Sequence, residues 1–265
     1  MESSFRDDIL RDKVALVTGG GSGIGGGIAA ALAAHGAKVA ICGRTQARLD
    51  AAAQAIAAAG GECLAVAADV RKPEALAAVV AAIEQRWGRL DILVNSAAGN
   101  FLAPAAALSA NGFGTVIDID LKGTFNACKA AFALLEARGG CIINISATLH
   151  YAATPLQVHA VSAKAGIDAL TRTLAVEWGP AQIRVNAVAP GPIAGTEGME
   201  RLAPGHARAK MTARIPLQRF GTIDEVAQAV LFLAAPASAY TTGAVLVVDG
   251  GQWLAGTNFL SLLAE

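Results

Sequence analysis

Thr18-Gly19-Gly20-Gly21-Ser22-Gly23-Ile24-Gly25 stands directly after a β-branched apolar segment, Val14–Thr18, and directly before an alanine-rich one. Glycines at such a junction let the backbone approach a pyrophosphate, and a helix opening there supplies N–H groups and a positive dipole end. The run marks a dinucleotide site, with Gly19, Gly21, Ser22, Gly23 and Ile24 as cofactor-binding residues. The second apolar segment ends Ile41-Cys42-Gly43-Arg44, where an NAD site usually places an acid for the ribose 2′-hydroxyl. Arg44 and, one helical turn on, Arg48 instead offer guanidinium groups that match a 2′-phosphate in charge and fork geometry. NADP(H), as NADPH or NADP, is the expected cofactor.

Other chemistry-bearing residues are sparse. Cys42, Cys63, Cys128 and Cys141 form no CxxC pair and have no histidine at zinc spacing, so they read as buried reduced thiols and no metal is expected. Of the two tyrosines, Tyr151 falls just beyond the fifth apolar segment, where a displaced proton donor could stand. Tyr240 reads as packing. His35, His150 and His159 have no partner motif and read as helix-surface or loop residues.

The elements that must position these groups follow from the alternation along the chain. Val14–Thr18, Lys38–Cys42, Cys63–Ala67, Ile92–Asn95, Cys141–Ile145, Arg184–Val188 and Val245–Val248 read as strands, apolar on consecutive residues as parallel strands covered on both faces require. Ile24–His35, Gln46–Ala59, Pro73–Trp87, Gly123–Arg138, Gln157–Trp178 and Asp224–Ala235 read as helices, with Pro73 suited to a first turn and Gly60, Gly88 and Gly139 to exits. Repeated β-α units predict a single α/β domain over 1–265, a doubly wound, seven-stranded parallel sheet of the Rossmann type. Residues 190–222 are too long for an ordinary connection and read as a substrate-binding loop.

Composition excludes several classes. Of 265 residues 54% are apolar, yet no run approaches the roughly 20 residues of a spanning helix, so no membrane partner is expected. Lys+Arg and Asp+Glu are both 21, which denies the positive excess that nucleic-acid binding needs. The polar N-terminus and the final Ser-Leu-Leu-Ala-Glu, unlike a Ser-Lys-Leu address, suggest a cytoplasmic protein.

The chain resembles the short-chain dehydrogenase/reductase family along nearly its full length. The glycine motif, Asp69-Val70, Asn95-Ser96-Ala97-Ala98-Gly99, Arg184-Val185-Asn186, Pro190-Gly191-Pro192-Ile193 and Val248-Asp249-Gly250-Gly251 carry the likeness. The resemblance implies that Asp69 and Val70 touch adenine, that Asn95 and Ala97 line the cofactor, and that Pro190, Gly191, Pro192 and Ile193 hold the nicotinamide carboxamide. Family members are commonly tetramers, so a homotetramer is implied, with Gly123–Arg138 and Gln157–Trp178 forming one interface and the C-terminal strand another.

The family's usual catalytic residues are only partly present. Lys164 stands in Ser162-Ala163-Lys164, but four residues earlier is Ala160 rather than Tyr, the Ser position holds Ala147, and the Asn expected before Leu-x-Gly is Asp120. With Asn100-Phe101-Leu102, Gln157-Val158-His159-Ala160 and Gly195-Thr196-Glu197-Gly198, these departures are similar to the 2,4-dienoyl-CoA reductases of the peroxisomal type. That likeness implies NADPH-dependent reduction of a 2,4-dienoyl-CoA to a 3-enoyl-CoA in unsaturated fatty acid β-oxidation. Asp120 and Lys164 are then the catalytic pair, Asp120 positioning or protonating a water and Lys164 binding the nicotinamide ribose. An acyl-CoA thioester would meet Phe101 along its chain, with Arg71, Ser109 and Asn111 near the thioester or CoA. Arg201 and Arg208, with His206, Lys210, Arg214 and Arg219, give residues 190–222 a positive excess suited to CoA phosphates. Another conjugated C=C or C=O substrate, or a non-catalytic NADP(H)-binding homologue, fits the same residues.

Overall fold

A computed structural model describes residues 3–202 and 206–255, with the backbone alone given for 201, 202, 206 and 207. Seven strands form one sheet in the order β3-β2-β1-β4-β5-β6-β7. They are β1 (Val14–Thr18), β2 (Lys38–Gly43), β3 (Cys63–Ala67), β4 (Ile92–Asn95), β5 (Gly140–Ile145), β6 (Ile183–Pro190) and β7 (Val245–Val248). Every pairing is parallel, with Thr18 opposite both Cys42 and Asn95. The order reverses between β1 and β4, and open α/β sheets bind ligands in the crevice at such a point.

Two cores explain the unbroken apolar runs. Ala15, Val17, Val39 and Ile41 face one layer, where they meet Ile28 and Leu32 of α1 (Gly23–Ala34) and Val226 and Val230 of α9 (Ile223–Ala234). Val14, Leu16, Ala40 and Cys42 face the other, against Leu76 and Val79 of α3 (Pro73–Trp87) and Ala127 and Ala131 of α5 (Gly123–Glu136). Successive residues of a strand point to opposite faces, so a strand covered twice needs apolar side chains throughout. The expected helix exits at Gly60, Gly88 and Gly139 all have positive φ.

Of the remaining helices, α2 (Gln46–Ala58) and α6 (Val158–Glu177) match the expected segments to within a residue or two. Two regions differ from the sequence reading. Residues 190–222 are not one long loop: they carry α7 (Glu197–Leu202) and α8 (His206–Ala213), with Ile193 bridged to Gly221. Helix α4 (Ala110–Ile117) runs through a π turn, Asp118–Lys122, into α5 as a continuous rod. A short α10 (Gln252–Ala255) ends the described chain.

Helix α9 begins with a capping box. The Thr222 hydroxyl accepts from Glu225 N at 3.2 Å and the Glu225 carboxylate accepts from Thr222 N at 2.8 Å. Replacing Thr222 by Ala is expected to cost about 1 kcal/mol of stability, read from denaturant midpoints. Arg219 clasps Glu225, which with the Thr222 N–H holds that carboxyl down at about 2. The cap's contribution is thus complete above the ordinary value of 4.5 and is lost as pH falls toward 2.

Candidate active site

Helix α1 opens without a side-chain cap, since Ser22 at its N-cap makes no capping hydrogen bond and no acid lies in its first turn. The first N–H groups are left for an anion. Gly19 has φ +70°, and a Cβ there would lie 3.0 Å from the Ala97 backbone, so the β1 exit can pass the β4 exit only as glycine. Thr18 Oγ1 ties the two exits by accepting from Ser96 N at 3.1 Å and Ala97 N at 3.2 Å. Gly21 and Ile24 are half-buried beside this crevice, and Arg44 is exposed at the end of β2. Among the described residues Arg44 makes no hydrogen bond or ion pair, although it is near enough to Asp69 to be attracted by it. An uncapped helix start and a side-chain-free cradle fit a dinucleotide, and an uncommitted guanidinium stands at the end of β2.

Some motif residues face elsewhere. Arg48 is ion-paired with Glu197 at the start of α7, at 2.8 Å. Asn95 is buried inside the sheet layer, where its Nδ2 donates to Asn144 Oδ1 at 2.9 Å; Asn144 donates on to Thr171 Oγ1 of α6 at 2.9 Å. Its side chain therefore anchors α6 to the sheet instead of lining the crevice. Val70 packs against Gly123 in the second core, and only its carbonyl is bonded, accepting from Asn126 Nδ2. Ile193 lies in the first core and Pro192 is buried, while Gly191 N donates to Val248 O at 3.0 Å. Pro190, Gly191, Pro192 and Ile193 thus offer a ligand backbone groups rather than side chains.

The expected catalytic pair, Asp120 and Lys164, is brought together by helix packing. On α6 two stripes of every fourth residue are buried: His159, Ala163, Ile167 and Thr171, and beside them Ala160, Lys164 and Asp168. Leu121 of the π turn seats against Gly166, where a Cβ would come within 2.7 Å of it, so the turn approaches α6 closely. Lys164 Nζ then donates to Ile145 O at 2.9 Å and lies 3.3 Å from Asp120 Oδ2. Asp120 Oδ1 accepts from Gly99 N at 2.7 Å, and its main-chain oxygen accepts from Thr124 Oγ1. Burial pushes the Asp120 carboxyl above its ordinary value of 3.8; Lys164 and the Gly99 N–H pull it back only in part. A carboxyl raised in this way beside an ammonium holds its proton to higher pH than an ordinary aspartate, as a proton donor needs. Ala160 is buried where the usual phenol would stand.

A second cluster borders the pair. Asp168, one turn beyond Lys164, accepts from Ser146 Oγ at 2.6 Å and Tyr151 OH at 3.2 Å, and lies 2.8 Å from His150 Nε2. Burial and the Asp168 charge push the Tyr151 phenol up to about 12, so it serves Asp168 as a fixed donor rather than the site as an acid. The surface placement expected for the histidines is also corrected: His35 and His159 are buried, and His150 is nearly so. Counting fours back from Thr171 along α6, through Ile167 and Ala163, would have signalled the depth of His159. Tyr240, expected to pack, is fully exposed.

The expected substrate residues are spread unevenly. Phe101 is 41% exposed, with its ring edge-on to His159 at 4.3 Å. Arg71 is clasped by Asp69, so neither group is free for a ligand without breaking that pair. The Ser109 hydroxyl is spent as the N-cap of α4, accepting from Gly112 N at 3.0 Å, and Asn111 is exposed in the following turn. Arg208 is exposed on α8 with its guanidinium 5.0 Å over Phe220. The side chains of Arg201 and His206, and the C-terminal Ser-Leu-Leu-Ala-Glu, lie outside the described residues. Among the described residues there is no cluster of metal-binding side chains, and no helix is long and apolar enough to cross a membrane.

Comparison with known proteins agrees with this geometry. The family described as Enoyl-(Acyl carrier protein) reductase matches residues 19–252. The (3E)-enoyl-CoA-producing peroxisomal 2,4-dienoyl-CoA reductase of Pongo abelii is 52% identical, over 98% of this chain and 90% of that protein. Its namesake in Danio rerio is 53% identical, over 96% and 86%. The crystal structure of a short chain dehydrogenase from Bacillus anthracis superposes with a TM-score of 0.86 at 42% identity, over 92% of this chain and 97% of that one. With its seven-stranded parallel sheet, glycine cradle and buried lysine, the chain belongs to the short-chain dehydrogenase/reductase family of nicotinamide-dependent oxidoreductases.

Proposed function

We propose that this protein reduces 2,4-dienoyl-CoA thioesters to 3-enoyl-CoA with NADPH, as a step in unsaturated fatty acid breakdown. The observation that carries the reading is the buried Asp120–Lys164 pair beside Ala160: a protonatable carboxyl and an ammonium where alcohol–ketone chemistry would need a phenol. The names of the relatives support the same substrate class.

When bound in the glycine cradle, NADPH would supply the hydride that C5 of the diene receives. The C4=C5 electrons shift to C3=C4, those of C2=C3 move toward the thioester, and negative charge reaches its oxygen. Asp120 then provides the proton taken up at C2, by way of a water, leaving a single C3=C4 bond. Lys164, fixed by Ile145 O and Asp120, holds the ribose and places positive charge beside the site as the negative charge develops. Phe101 packs against the acyl chain. Arg44 holds the 2′-phosphate, which makes NADPH the preferred reductant.

The proposal extends to a cytoplasmic homotetramer. Thiols buried singly at Cys42, Cys128 and Cys141 suit a reducing compartment, and Phe125 of α5 and Val176 of α6 stand exposed where an interface through those helices would cover them. The direct test mixes protein with NADPH and 2,4-hexadienoyl-CoA and follows both absorbances, with crotonyl-CoA in parallel. Equimolar loss of NADPH and diene, with little turnover of crotonyl-CoA, is expected. Turnover of crotonyl-CoA alone would reassign the substrate, and NADPH binding without oxidation would make the protein a non-catalytic binder.

A further inference from the structure

His159 is completely buried, yet one of its ring nitrogens has no partner. Its Nδ1 accepts the Ala160 N–H at 2.9 Å, so the ring hydrogen sits on Nε2. Among the described residues Nε2 meets no acceptor. The nearby Asn100 Oδ1 also lacks a partner, so the two are not within bonding distance of each other. Buried donors are nearly always satisfied, and an unsatisfied one in a native fold calls for a reason.

The surroundings supply one. Asn100 Nδ2 donates to Gln157 Oε1, which ties the segment after β4 to the start of α6 and brings Phe101 edge-on over the imidazole. That segment has no regular structure from 96 to 104, and Phe101 itself is half in solvent. Phe101 is thus a cover that a ligand can exchange for itself. The other donors at the site have uses already: two of the Lys164 Nζ hydrogens meet Ile145 O and Asp120, leaving the third for the ribose, and the Gly99 N–H goes to Asp120.

We propose that His159 Nε2–H is the hydrogen-bond donor for the thioester oxygen of the substrate, reached when the acyl group displaces the Phe101 ring. The assignment rests on the dienoyl-CoA reading and adds to it the residue that receives the developing oxyanion. A preorganised donor aimed at that atom acts mainly on kcat, and removing one such donor typically costs about 10²–10³-fold.

The test reads the bound substrate directly. Wild-type protein with NADP+ and 2,4-hexadienoyl-CoA forms a complex that lacks a hydride to transfer. A hydrogen bond to the thioester oxygen polarises the conjugated system, so its absorbance is expected to shift to the red. His159→Phe is expected to abolish that shift and to lower kcat with NADPH by about 10²-fold, while NADPH binding is retained. His159→Gln, which keeps an N–H donor, is expected to recover part of both. Histidine-selective 15N spectra of the unaltered protein give a measurement independent of any variant: the Nε2–H resonance should move downfield when the dienoyl-CoA is added. Wild-type turnover with no red shift, a shift that persists in His159→Phe, or an unmoved Nε2–H resonance would overturn this assignment and leave the reductase reading standing. Absence of wild-type turnover would overturn both.

Discussion

Replacing Asp120 by Asn is expected to lower kcat for 2,4-hexadienoyl-CoA by about 10²–10⁴-fold, the usual worth of a positioned acid or base, with NADPH affinity almost unchanged. The carboxyl now meets two donors with two oxygens: Oδ1 takes the Gly99 N–H and Oδ2 faces Lys164 Nζ. An amide has one acceptor oxygen, so the substituted side chain would leave either the Gly99 N–H or the ammonium without its partner, and it has no acidic proton to give. Single-turnover reduction with saturating NADPH separates the chemical step from cofactor binding. Normal turnover in the variant would remove Asp120 from the proton path and leave it as a brace for Lys164.

The same carboxyl sets the direction of the pH profile. Burial raises its pKa above 3.8, so the protonated acid persists to higher pH than an ordinary Asp allows. Wild-type kcat/KM is expected to fall as pH rises through that raised value, and this limb should disappear in Asp120→Asn. Stability moves in the same direction. The folded chain holds the proton more tightly than the unfolded one, so this group's contribution is complete below 3.8 and declines as pH rises through the folded value.

How much of this was legible in the residues depended on which physical signal each element carries. Strands such as β1 and β4 were readable because a strand covered on both faces needs apolar residues without interruption, and four of the seven matched residue for residue. Helix α4 was not, since Gly112 and Gly114 are poor helix formers in an eight-residue segment, and α7, Glu-Gly-Met-Glu-Arg-Leu, has almost no apolar face. Strand β6 ran to Pro190 because a last residue can pair with Val248 without contributing an N–H at its own position. In the site, Asp120 and Lys164 were readable from their places in motifs. Motif strings did not reveal which side chains turn inward: Asn95, Val70 and Ile193 belong to crevice motifs, yet their side chains are buried in the layers behind it. His159 was missed for the converse reason, because a histidine without a partner motif carries no signal until the buried stripes of α6 are counted.

Arg44→Asp is expected to reverse the cofactor preference. A guanidinium–phosphate contact is worth about 1.5–3 kcal/mol as a hydrogen bond to a charged group, so its loss alone lowers kcat/KM with NADPH by roughly 10–100-fold. A carboxylate in its place adds repulsion toward the 2′-phosphate and offers an acceptor to the 2′-hydroxyl of NADH, whose kcat/KM should rise. Arg48→Ala is expected to have the smaller effect, because Arg48 is already ion-paired with Glu197 at 2.8 Å whereas Arg44 makes no ion pair among the described residues. Both members of that pair are about half exposed, so the pair itself contributes little to stability and is easily exchanged. Measuring kcat/KM with both cofactors for wild type and both variants decides between the arginines. A larger loss in Arg48→Ala would mean that Arg48 leaves Glu197 for the phosphate, coupling the start of α7 to cofactor binding. An unchanged preference in Arg44→Asp would show that the 2′-phosphate is read by neither the charge nor the geometry at the end of β2.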